Sequence, residues 1–468
     1  MSKRTLVNLL LVLAMLLTLG VSVASAAPLA QEMIYTVKLG DNLWTLAEKY
    51  LGNGAAYPAI VGATNRKSID DPTFAYITNP SLIHPGWKFL IPSKEAAAEY
   101  LATYVRPAPE KALPTEITMV DTNSGSNFQA YWQTVVLPQI EKDLGIKINY
   151  VVSKSSEMME RMKAWEKGKG DFHLLFVKPT HVADMVEQGI GLETLFPDRL
   201  DVIPNLAKCP KAYLKTAVGV PIDGKAALYW RSQYTLIYDS EYIKDPPTSW
   251  KEFYERRDEW RGHIGLMRPN SKSGSGRRQP YSFLYAFLGD KIEMPFEELK
   301  ETPEFKDAWA KLTEFYAAAQ QPLAPEPSPN LFERFNAGET WISFYAMDFC
   351  LWSRDQGTMP PTIKAGFLSE GMTAGSDGYL AVPADIPEEY KPVAYRLINY
   401  LLSDEQQVQL ITTMWQYTGT DIWDKIPDEV WEVIPRWEDV EPTRIRMTNK
   451  PLVDYIKEEG PALLGGGG

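Results

Sequence analysis

Three loops rich in serine and glycine carry the residues best suited to bind a small polar ligand. The tripeptides Ser124-Gly125-Ser126 and Ser273-Gly274-Ser275 each precede a predicted helix, and residues 373–378 lead into a late predicted strand. Loops at helix starts expose free backbone N–H groups, which favour anionic or polar ligand atoms. Arg277 and Arg278 favour an anionic ligand. The alternative interpretation is that the three loops are flexible surface loops without a binding role.

Aromatic side chains form a second set of candidate ligand contacts, because flat rings stack on sugars and on cationic groups. The candidates are Trp132, Tyr229, Trp230, Tyr281, Trp341, Tyr345 and Tyr379. We select Trp230, Tyr345 and Tyr379 as predicted ligand-binding residues, with core positions as the alternative for each ring. Asp223, which we also select, and Asp348 have the charge to pair with a cationic solute, unless they are ordinary turn and surface carboxylates.

The residues that catalytic and metal sites need are sparse. The sequence has 4 histidines and contains no His-Glu-x-x-His or Gly-x-Ser-x-Gly motif. Cys209 and Cys350 lack a recognisable peptidase setting, and we favour two buried free thiols over a disulfide between them. We therefore predict a protein that is not an enzyme and that has no cofactor and no metal site.

The first 26 residues have the pattern of a cleaved signal peptide. Lys3 and Arg4 precede an apolar run over residues 6–19, and Ala24-Ser25-Ala26 offers the small residues that a signal peptidase needs. The run is short for a membrane span, which takes about 20 residues, so an uncleaved anchor is the less favoured alternative. No cysteine lies near the cleavage site to carry a lipid. We predict an exported protein without a lipid anchor.

The 468 residues are too many for one core of typical size, so two or more modules are expected. A formal net charge of -12 makes nucleic acid a poor partner. We predict a compact module over residues 33–92, a Pro- and Ala-rich linker over 93–114, a large domain over 115–460 and a flexible tail over 461–468. Strands and helices alternate in the large domain, which predicts an α/β fold with a largely parallel sheet.

The module over residues 33–92 changes from a strand pattern to a helix pattern and back. The β-forming residues 35–38 precede a turn, a helix that we expect Asp41 to cap, a second helix over 55–65 and a final strand. The following motif residues, in this order, resemble the LysM domain family: Tyr35, Val37, Gly40, Asp41, Leu43, Ala47, Tyr50, Asn65, Pro85, Gly86, Phe89, Ile91 and Pro92. Residues 66–81 are longer than that family's usual pattern, and we expect an insertion there.

The LysM resemblance implies that this βααβ module binds glycans that contain N-acetylglucosamine, normally peptidoglycan. In that family the groove lies between the loop after the first strand and the loop before the second. Carried over to this sequence, the implied glycan-binding residues are Gly40, Asp41, Asn42, Leu43, Ile83, His84, Pro85 and Gly86. The glycines and Asp41 also suit plain turn and cap roles, and the two roles are compatible.

The large domain carries an ordered set of segments that resembles the extracellular solute-binding proteins of ABC importers, family 1-like, with a type II periplasmic-binding fold. The segments include Pro247-Thr248-Ser249-Trp250, Phe335-Asn336-Ala337-Gly338-Glu339, Gly378-Tyr379-Leu380-Ala381-Val382-Pro383 and Leu402-Ser403-Asp404-Glu405-Gln406-Gln407. This resemblance implies two α/β lobes joined by crossing strands, with the ligand in the cleft between them. We place the crossings near residues 226–229 and 341–344, where hinges would let the lobes close.

Together the two resemblances imply an exported, non-catalytic receptor in the extracellular or periplasmic space. It would be tethered to peptidoglycan at the cell wall and would work with an ABC permease. We expect a monomer whose solute is a sugar, a thiamine- or polyamine-like cation, or an organic anion. The alternatives are a wall hydrolase that carries a LysM module and a wall-associated binding or scaffold protein without a transport role.

Overall fold

The computed structural model describes residues 32–77, 79–80, 82–104, 113–272 and 274–463. The chain forms two compact units, divided between Glu110 and Lys111. The predicted signal peptide over 1–26, Ser273 of the predicted binding loop and most of the predicted tail lie outside the described residues. None of the helices within the described ranges is both long and apolar enough to cross a membrane.

The described part of the first unit contains two short strands and three α-helices. In chain order these are β1 (Met33–Thr36), α1 (Leu43–Leu51), α2 (Tyr57–Asp70), β2 (Lys88–Ile91) and α3 (Lys94–Thr103). The two strands pair in antiparallel fashion, with Met33 opposite Ile91. The buried core consists of Val37, Leu43, Leu46, Ala47, Ile60, Ile77, Phe89 and Ile91. The strand, helix, helix, strand order is the one that the sequence predicts, followed by one more helix.

Asn42, and not Asp41 as predicted, caps α1. Asn42 Oδ1 accepts a hydrogen bond from the backbone N–H of Thr45 at 2.9 Å, which satisfies a free donor at the helix start. Asp41 closes the preceding turn instead, because its Oδ2 accepts from the N–H of Lys38 at 2.7 Å and from the Tyr35 hydroxyl at 2.8 Å. The bond from Lys38, and then the bond from Tyr35, lower the pKa of Asp41.

Helix α3 occupies the start of the predicted linker and packs within the first unit. Ser93 caps it, since its Oγ accepts from the N–H of Ala96 at 3.0 Å. Tyr100 of α3 lies so close to Gly62 of α2 that a Cβ on Gly62 would come within 2.6 Å of the ring. The first unit therefore extends beyond residue 92, and its last helix depends on a glycine in α2.

The second unit mixes short strands with helices throughout. Its strands are β3 (Glu116–Asp121), β4 (Lys147–Val152), β5 (Leu174–Val177), β6 (Thr216–Ala217), β7 (Val220–Pro221), β8 (Ala227–Arg231), β9 (Tyr234–Asp239), β10 (Ile264–Gly265), β11 (Ile342–Ala346), β12 (Ile363–Gly366), β13 (Met372–Thr373), β14 (Gly378–Ala381), β15 (Tyr417–Thr418) and β16 (Arg444–Ile445). Its α-helices are α4 (Ser126–Tyr131), α5 (Leu137–Leu144), α6 (Ser155–Lys163), α7 (Pro179–Glu187), α8 (Lys211–Lys215), α9 (Trp250–Glu255), α10 (Ser275–Leu288), α11 (Phe296–Leu299), α12 (Pro303–Ala318), α13 (Phe332–Asn336), α14 (Met347–Asp355), α15 (Lys391–Leu401), α16 (Asp404–Met414), α17 (Asp428–Trp431), α18 (Trp437–Val440), α19 (Lys450–Glu458) and α20 (Gly460–Leu463).

The first lobe is organised around a six-stranded sheet with the order β15-β8-β14-β5-β3-β4. Strand β3 pairs parallel to β4 and β5, whereas β14 runs antiparallel to both β5 and β8, and β15 antiparallel to β8. The predicted largely parallel sheet is therefore mixed. The reason is topological, because β14 enters this sheet from the other lobe and so runs against the strands beside it.

The second lobe is organised around a four-stranded sheet with the order β10-β11-β9-β12. Strand β9 lies antiparallel to both β11 and β12, and β10 is parallel to β11. Each sheet has its own buried apolar core, one on the first lobe and one on the second. The α/β, two-lobed fold expected from the sequence is thus observed.

Three described segments connect the lobes, and only the first lies near a predicted crossing. Residues 232–233 join β8 to β9, residues 374–377 lead to β14, and the chain leaves the first sheet again after β15. The prediction of a crossing near 341–344 is wrong, because β11 pairs with two strands of the second lobe. A buried apolar strand has the same pattern whether it crosses between lobes or stays in one sheet.

Residues that are close neighbours in the sequence fix the start of α9. Ser249 caps α9 by accepting from the N–H of Glu252 at 3.0 Å, and the Glu252 carboxylate accepts from the N–H of Thr248 at 2.8 Å. These two bonds satisfy free donors at the helix start, much as in a capping box.

The helical stretch that begins with α4 is interrupted by a π-helical segment over Trp132–Val136. The interruption separates α4, which reaches the space between the lobes, from α5.

Cys209 and Cys350 are both buried and free, as favoured from the sequence. Cys209 belongs to the core of the first lobe and Cys350 to the core of the second. Burial raises the pKa of the Cys209 thiol to about 12, so it stays protonated and unreactive at neutral pH. The two thiols therefore act as small apolar side chains.

Candidate functional site

A cavity of about 220 Å³ lies between the two lobes. It is lined by Asn123, Gly125, Asn127, Phe128, Trp230, Ser232, Tyr234, Ser275, Arg278, Tyr345, Ala346, Asp348, Phe349, Ser376 and Gln416. Aromatic rings and a few polar groups from both lobes thus surround one space. This composition is typical of small-molecule sites, which are mainly apolar and have a limited number of placed polar groups.

The first-lobe side of the cavity takes its shape from Asp121 at the end of β3. The Oδ1 atom of this buried carboxylate accepts from the backbone N–H groups of Asn123 at 2.7 Å and Ser124 at 2.8 Å. These bonds hold a tight turn that leads directly into α4. The turn brings Gly125 and Asn127 to the cavity wall.

Trp230 forms the most firmly held aromatic surface of the site. Its ring centre lies 3.9 Å from that of Phe128 and 4.5 Å from that of Phe176. Its Nε1 donates to the backbone carbonyl of Ser376 at 3.1 Å, so the buried indole N–H is satisfied. Because α4, β5 and the second crossing segment all contact it, Trp230 gives the cavity a rigid apolar wall.

The second-lobe side combines two tyrosines with an arginine. The Tyr234 hydroxyl and Ser275 Oγ are 2.6 Å apart, and the rings of Tyr234 and Tyr345 are 5.5 Å apart. The Arg278 guanidinium lies 5.0 Å from the centre of the Tyr234 ring, and one of its nitrogens donates to the carbonyl of Ala374 at 2.9 Å. These contacts fix the guanidinium beside the cavity.

Asp348, at the start of α14, is a buried carboxylate in this cavity. Its Oδ2 accepts from Asn127 Nδ2 at 3.2 Å. Asn127 belongs to the first lobe and Asp348 to the second, so this hydrogen bond joins the lobes across the site. Burial raises the pKa of Asp348 to about 6, because water is excluded from the charged form. Asp348 therefore changes its charge near pH 6.

Several of the predicted ligand-binding residues meet at this cavity. Gly125, Trp230, Ser275 and Tyr345 line it. Ser124 and Ser126 flank Gly125, and Gly274, with φ of 77°, immediately precedes Ser275 at the start of α10. The first two serine- and glycine-rich loops thus come from different lobes and face the same space.

Two predicted ligand-binding residues lie elsewhere. Asp223 sits in a turn with φ of 44°, and its N–H donates to the carbonyl of Lys215 at 3.3 Å. Tyr379 is buried within β14, where its hydroxyl donates to the carbonyl of Tyr213 at 3.1 Å. The remaining aromatic candidates also lie outside the cavity lining: Trp132, Tyr229, Tyr281 and Trp341. A buried ring in the core and one in a cleft have the same sequence pattern, which explains these misses.

Much of the polar lining was missed by the sequence interpretation. The missed residues are Asn123, Asn127, Ser232 and Gln416. Ser376 lies in the third serine- and glycine-rich loop, which was a candidate from the sequence, and Asn127 directly follows the first of these loops. A wider window around the first loop therefore contained a usable signal. Arg278 and Asp348 were each considered, for solutes of opposite charge, and both line the cavity.

The crossing segments are joined by a buried charge cluster next to the site. Arg444 of β16 contacts both carboxylate oxygens of Asp377, at 2.5 and 3.3 Å. It also donates to the carbonyl of Ser232 at 2.8 Å and to Gln233 Oε1 at 3.1 Å. Residues from the first crossing, the second crossing and the C-terminal segment therefore share one guanidinium. Asp377 in turn accepts from the N–H of Ser232 at 2.9 Å.

In the first unit, the two loops implied to bind glycan lie side by side. The N–H of Gly86 donates to the carbonyl of Val37 at 2.8 Å, and the N–H of Val37 donates to the carbonyl of Trp87 at the same distance. Gly40 has φ of 90° and Gly86 of 92°, a left-handed conformation that glycine adopts without strain. His84 is exposed and its ring packs edge-on against Trp87 at 4.9 Å.

The other implied glycan-binding residues divide between support and surface. Asn42 is the cap of α1 and Leu43 is buried in the core, whereas Pro85 is exposed and Ile83 is half-buried. The exposed backbone of the two loops and the His84 ring are thus the parts that a ligand can reach.

A larger cavity of about 370 Å³ lies within the first lobe alone. Its lining is Thr118, Asn149, Val151, Ser153, Glu157, Arg161, Asp171, Phe172 and His173. None of these residues comes from the second lobe, so a ligand bound there would not favour closure of the two lobes. Within the described ranges, no group of three or more His, Cys, Asp or Glu residues is placed to hold a metal ion.

Comparison with known families agrees with this geometry. The sequence model of the family described as bacterial extracellular solute-binding protein matches residues 137–421, which is more than half of the 468 residues. The chain therefore belongs to the bacterial extracellular solute-binding proteins. A search of curated proteins finds no match to this sequence.

Solved structures show the same fold at low sequence identity. An extracellular solute-binding protein from Bordetella parapertussis is 16% identical with a TM-score of 0.56, covering 75% of this chain and 98% of that one. A Thermotoga lettingae ABC transporter solute-binding protein, bound with alpha-D-tagatose, is 15% identical with a TM-score of 0.57 and coverages of 75% and 95%. A spermidine/putrescine ABC transporter substrate-binding protein from Streptococcus pneumoniae is 12% identical, with a TM-score of 0.55 and coverages of 75% and 100%.

Proposed function

We propose that the second unit captures a small polar solute in the cavity between its lobes and delivers it to an ABC permease, without catalysis. The observation that carries this proposal is the lining itself, which both lobes supply and which the Asn127–Asp348 hydrogen bond spans. A ligand that contacts both lobes binds the closed form better than an open one, and so shifts the population towards closure. The closed form is the one that a permease would recognise.

A solute screen tests this function. Sugars, polyamines, thiamine, amino acids and small organic anions are added to the full chain, and the melting temperature and binding heat are recorded. A ligand at 100 times its Kd raises stability by about 2.7 kcal/mol through mass action. Trp230→Ala should abolish the response, whereas Trp44→Ala, a half-exposed tryptophan of the first unit, should leave it intact. Binding of no solute class, or binding that survives Trp230→Ala, would count against the cavity as the receptor site.

We propose further that the first unit is a LysM module that holds the protein at peptidoglycan. The adjoining Gly40 and Gly86 loops support this, since they expose backbone groups that suit acetamido groups, beside the His84 ring. The expected setting is then an exported monomer at the cell wall. A sedimentation experiment on purified peptidoglycan tests the tether with the full chain, a chain lacking residues 33–92, and His84→Ala.

The deletion should leave the protein in the supernatant, and His84→Ala should weaken retention. Glu99→Ala, an exposed change on α3, should behave as the unaltered chain. Retention of the deletion variant would refute the tether. Release of soluble wall fragments during the same incubation would favour the wall hydrolase instead, and retention without any solute binding would favour a scaffold.

A further inference from the structure

The cavity between the lobes has one described carboxylate and one described guanidinium in its lining, Asp348 and Arg278. Both come from the second lobe, in α14 and α10. Across the residues that the structure describes, neither forms an ion pair, with each other or with a third group. A charged side chain that is partly withdrawn from water and has no counter-charge raises the free energy of the ligand-free protein.

The surroundings of Asp348 are suited to a cationic group. The carboxylate is 7% exposed, and its one side-chain hydrogen-bond donor is the neutral amide of Asn127. The rings of Tyr345 and Phe349 line the same cavity and offer π-faces, which attract cations. An ammonium placed here would supply the positive charge that the carboxylate lacks.

The surroundings of Arg278 are suited to an anionic group. One of its nitrogens is used by the carbonyl of Ala374, which is neutral. Burial and then the positive charge of Arg278 lower the pKa of Lys178, at the start of α7 in the first lobe, while Asp121 acts in the opposite direction. The positive charge of Arg278 thus acts on Lys178 of the first lobe, and an anion bound at Arg278 would reduce this repulsion.

We propose that the solute is a zwitterion, with an ammonium group at Asp348 and an acidic group at Arg278. This inference rests on the proposed solute-binding function and deepens it. A singly charged amine would leave Arg278 without a counter-charge, and a singly charged acid would leave Asp348 without one. A neutral sugar would leave both uncompensated.

The cavity size and its rings limit what joins the two charged ends. A volume of about 220 Å³ is below the ~300–1,000 Å³ of pockets for drug-sized molecules. Phe128, Trp230 and Tyr234 form apolar walls around it. The solute is thus a small amino acid or a similar compound whose two charges are separated by a short, largely apolar stem.

Calorimetry on the full chain at pH 7.5 tests the inference with matched probes. Glycine, 4-aminobutyrate and 6-aminohexanoate carry both charges at increasing separation, hexanoate and hexylamine carry one each, and glucose carries none. We expect at least one zwitterion to bind about 10- to 100-fold more tightly than the singly charged probes, the effect of one charge-assisted hydrogen bond. Glucose should bind more weakly still.

Two charge-neutralising variants test the two ends of the ligand separately. Asp348→Asn should remove the preference for 6-aminohexanoate over hexanoate, and Arg278→Gln should remove its preference over hexylamine. The exposed changes Asp201→Asn and Arg396→Gln remove the same charges elsewhere and should change neither preference. Because the readout is a ratio of affinities within one variant, partial unfolding does not imitate it.

The outcomes distinguish this inference from the function on which it rests. Tighter binding of glucose, or of one singly charged probe, overturns the zwitterion and leaves the solute receptor standing. Equal preferences in Asp348→Asn and the unaltered chain would also overturn it. No binding by any probe here or by any class in the wider screen contradicts both.

Discussion

The charge cluster beside the crossing segments and the cavity each contain an arginine and an aspartate, but only in the cluster do the two form an ion pair. The Arg444 side chain is 4% exposed, and its guanidinium donates hydrogen bonds to Asp377, Ser232 and Gln233. In the cavity beside this cluster, Asp348 and Arg278 are both part of the lining, and neither forms an ion pair within the described chain. A guanidinium and a carboxylate are thus paired with each other in the cluster and unpaired in the cavity.

The difference indicates what each site is for. An ion pair between chain segments fixes their geometry, and here it ties the first two crossing segments, 232–233 and 374–377, to the C-terminal strand β16. Unpaired charged groups in a cavity are available to form ion pairs with a ligand. While the cavity is empty, they destabilise the protein. Mutations at the two sites should therefore change stability in opposite directions, and the following experiments test this contrast in order of expected effect.

Arg444→Met should be the most destabilising change. It leaves Asp377 buried without its cation, and such losses amount to about 3–5 kcal/mol in the free energy of unfolding. Urea denaturation followed by tryptophan fluorescence measures the effect. The double variant Arg444→Met, Asp377→Asn should recover part of the loss, because the stranded charge is gone. A loss that is equally large in the double variant would show that packing, and not charge, explains the cost.

Asp348→Asn should stabilise the ligand-free protein at neutral pH. Its pKa rises from 3.8 to about 6 on folding, so the unpaired carboxylate destabilises the fold above pH 6 and the penalty fades as pH falls towards 4. That shift corresponds to roughly 3 kcal/mol at most. The neighbouring titratable groups Tyr345 and Cys350 have raised pKa values and stay neutral in this window.

The measurement for Asp348→Asn is the free energy of unfolding at several pH values from 4 to 7.5. The variant's advantage over the unaltered chain should grow with pH up to about 6 and then level off. Asp201→Asn, exposed on the first lobe, serves as the matched control. A variant that is less stable than the unaltered chain at pH 7.5 would place Asp348 among structural pairs and break the contrast between the two sites.

Arg231→Met should have an intermediate effect. The guanidinium is fully buried, lies 5.0 Å from the Trp423 ring and 4.8 Å from the Trp437 ring, and pairs with Asp421 at 2.6 Å. The Asp421 side chain is 49% exposed, so water can solvate it after the arginine is removed. A methionine can also fill the aromatic surroundings. We expect a loss of about 1–2 kcal/mol by urea denaturation, and a loss equal to that of Arg444→Met would contradict the role of solvent.

Lys306→Gln should change nothing measurable. Lys306 pairs with Glu301 at 3.0 Å, but the two side chains are 60% and 70% exposed. Water screens such a pair almost completely. The same urea titration provides the baseline against which the three buried sites are judged, and a clear loss here would mean that exposure does not order the effects.

The sequence determined most of what depends on neighbours along the chain. In the first unit, the alternation of strand and helix patterns between residues 33 and 92 gave the right element order, although Asn42 took the cap assigned to Asp41. In the second unit, Ser249 and Glu252 marked the start of α9. Such signals are reliable because caps and periodicity act within one or two turns of a helix. The motif order likewise pointed to the two-lobed family.

Only the tertiary structure decided which distant residues meet. Asn127 and Asp348 are separated by 221 positions, and Arg444 and Asp377 by 67, and no local pattern encodes either contact. The crossing at residues 374–377 and the antiparallel β14 follow from the chain's return from the second lobe. Whether a charged side chain is paired within the protein or left unpaired for a ligand depends on every segment packed around it. For that reason the sequence offered Arg278 and Asp348 as alternatives, and the fold placed both in one cavity.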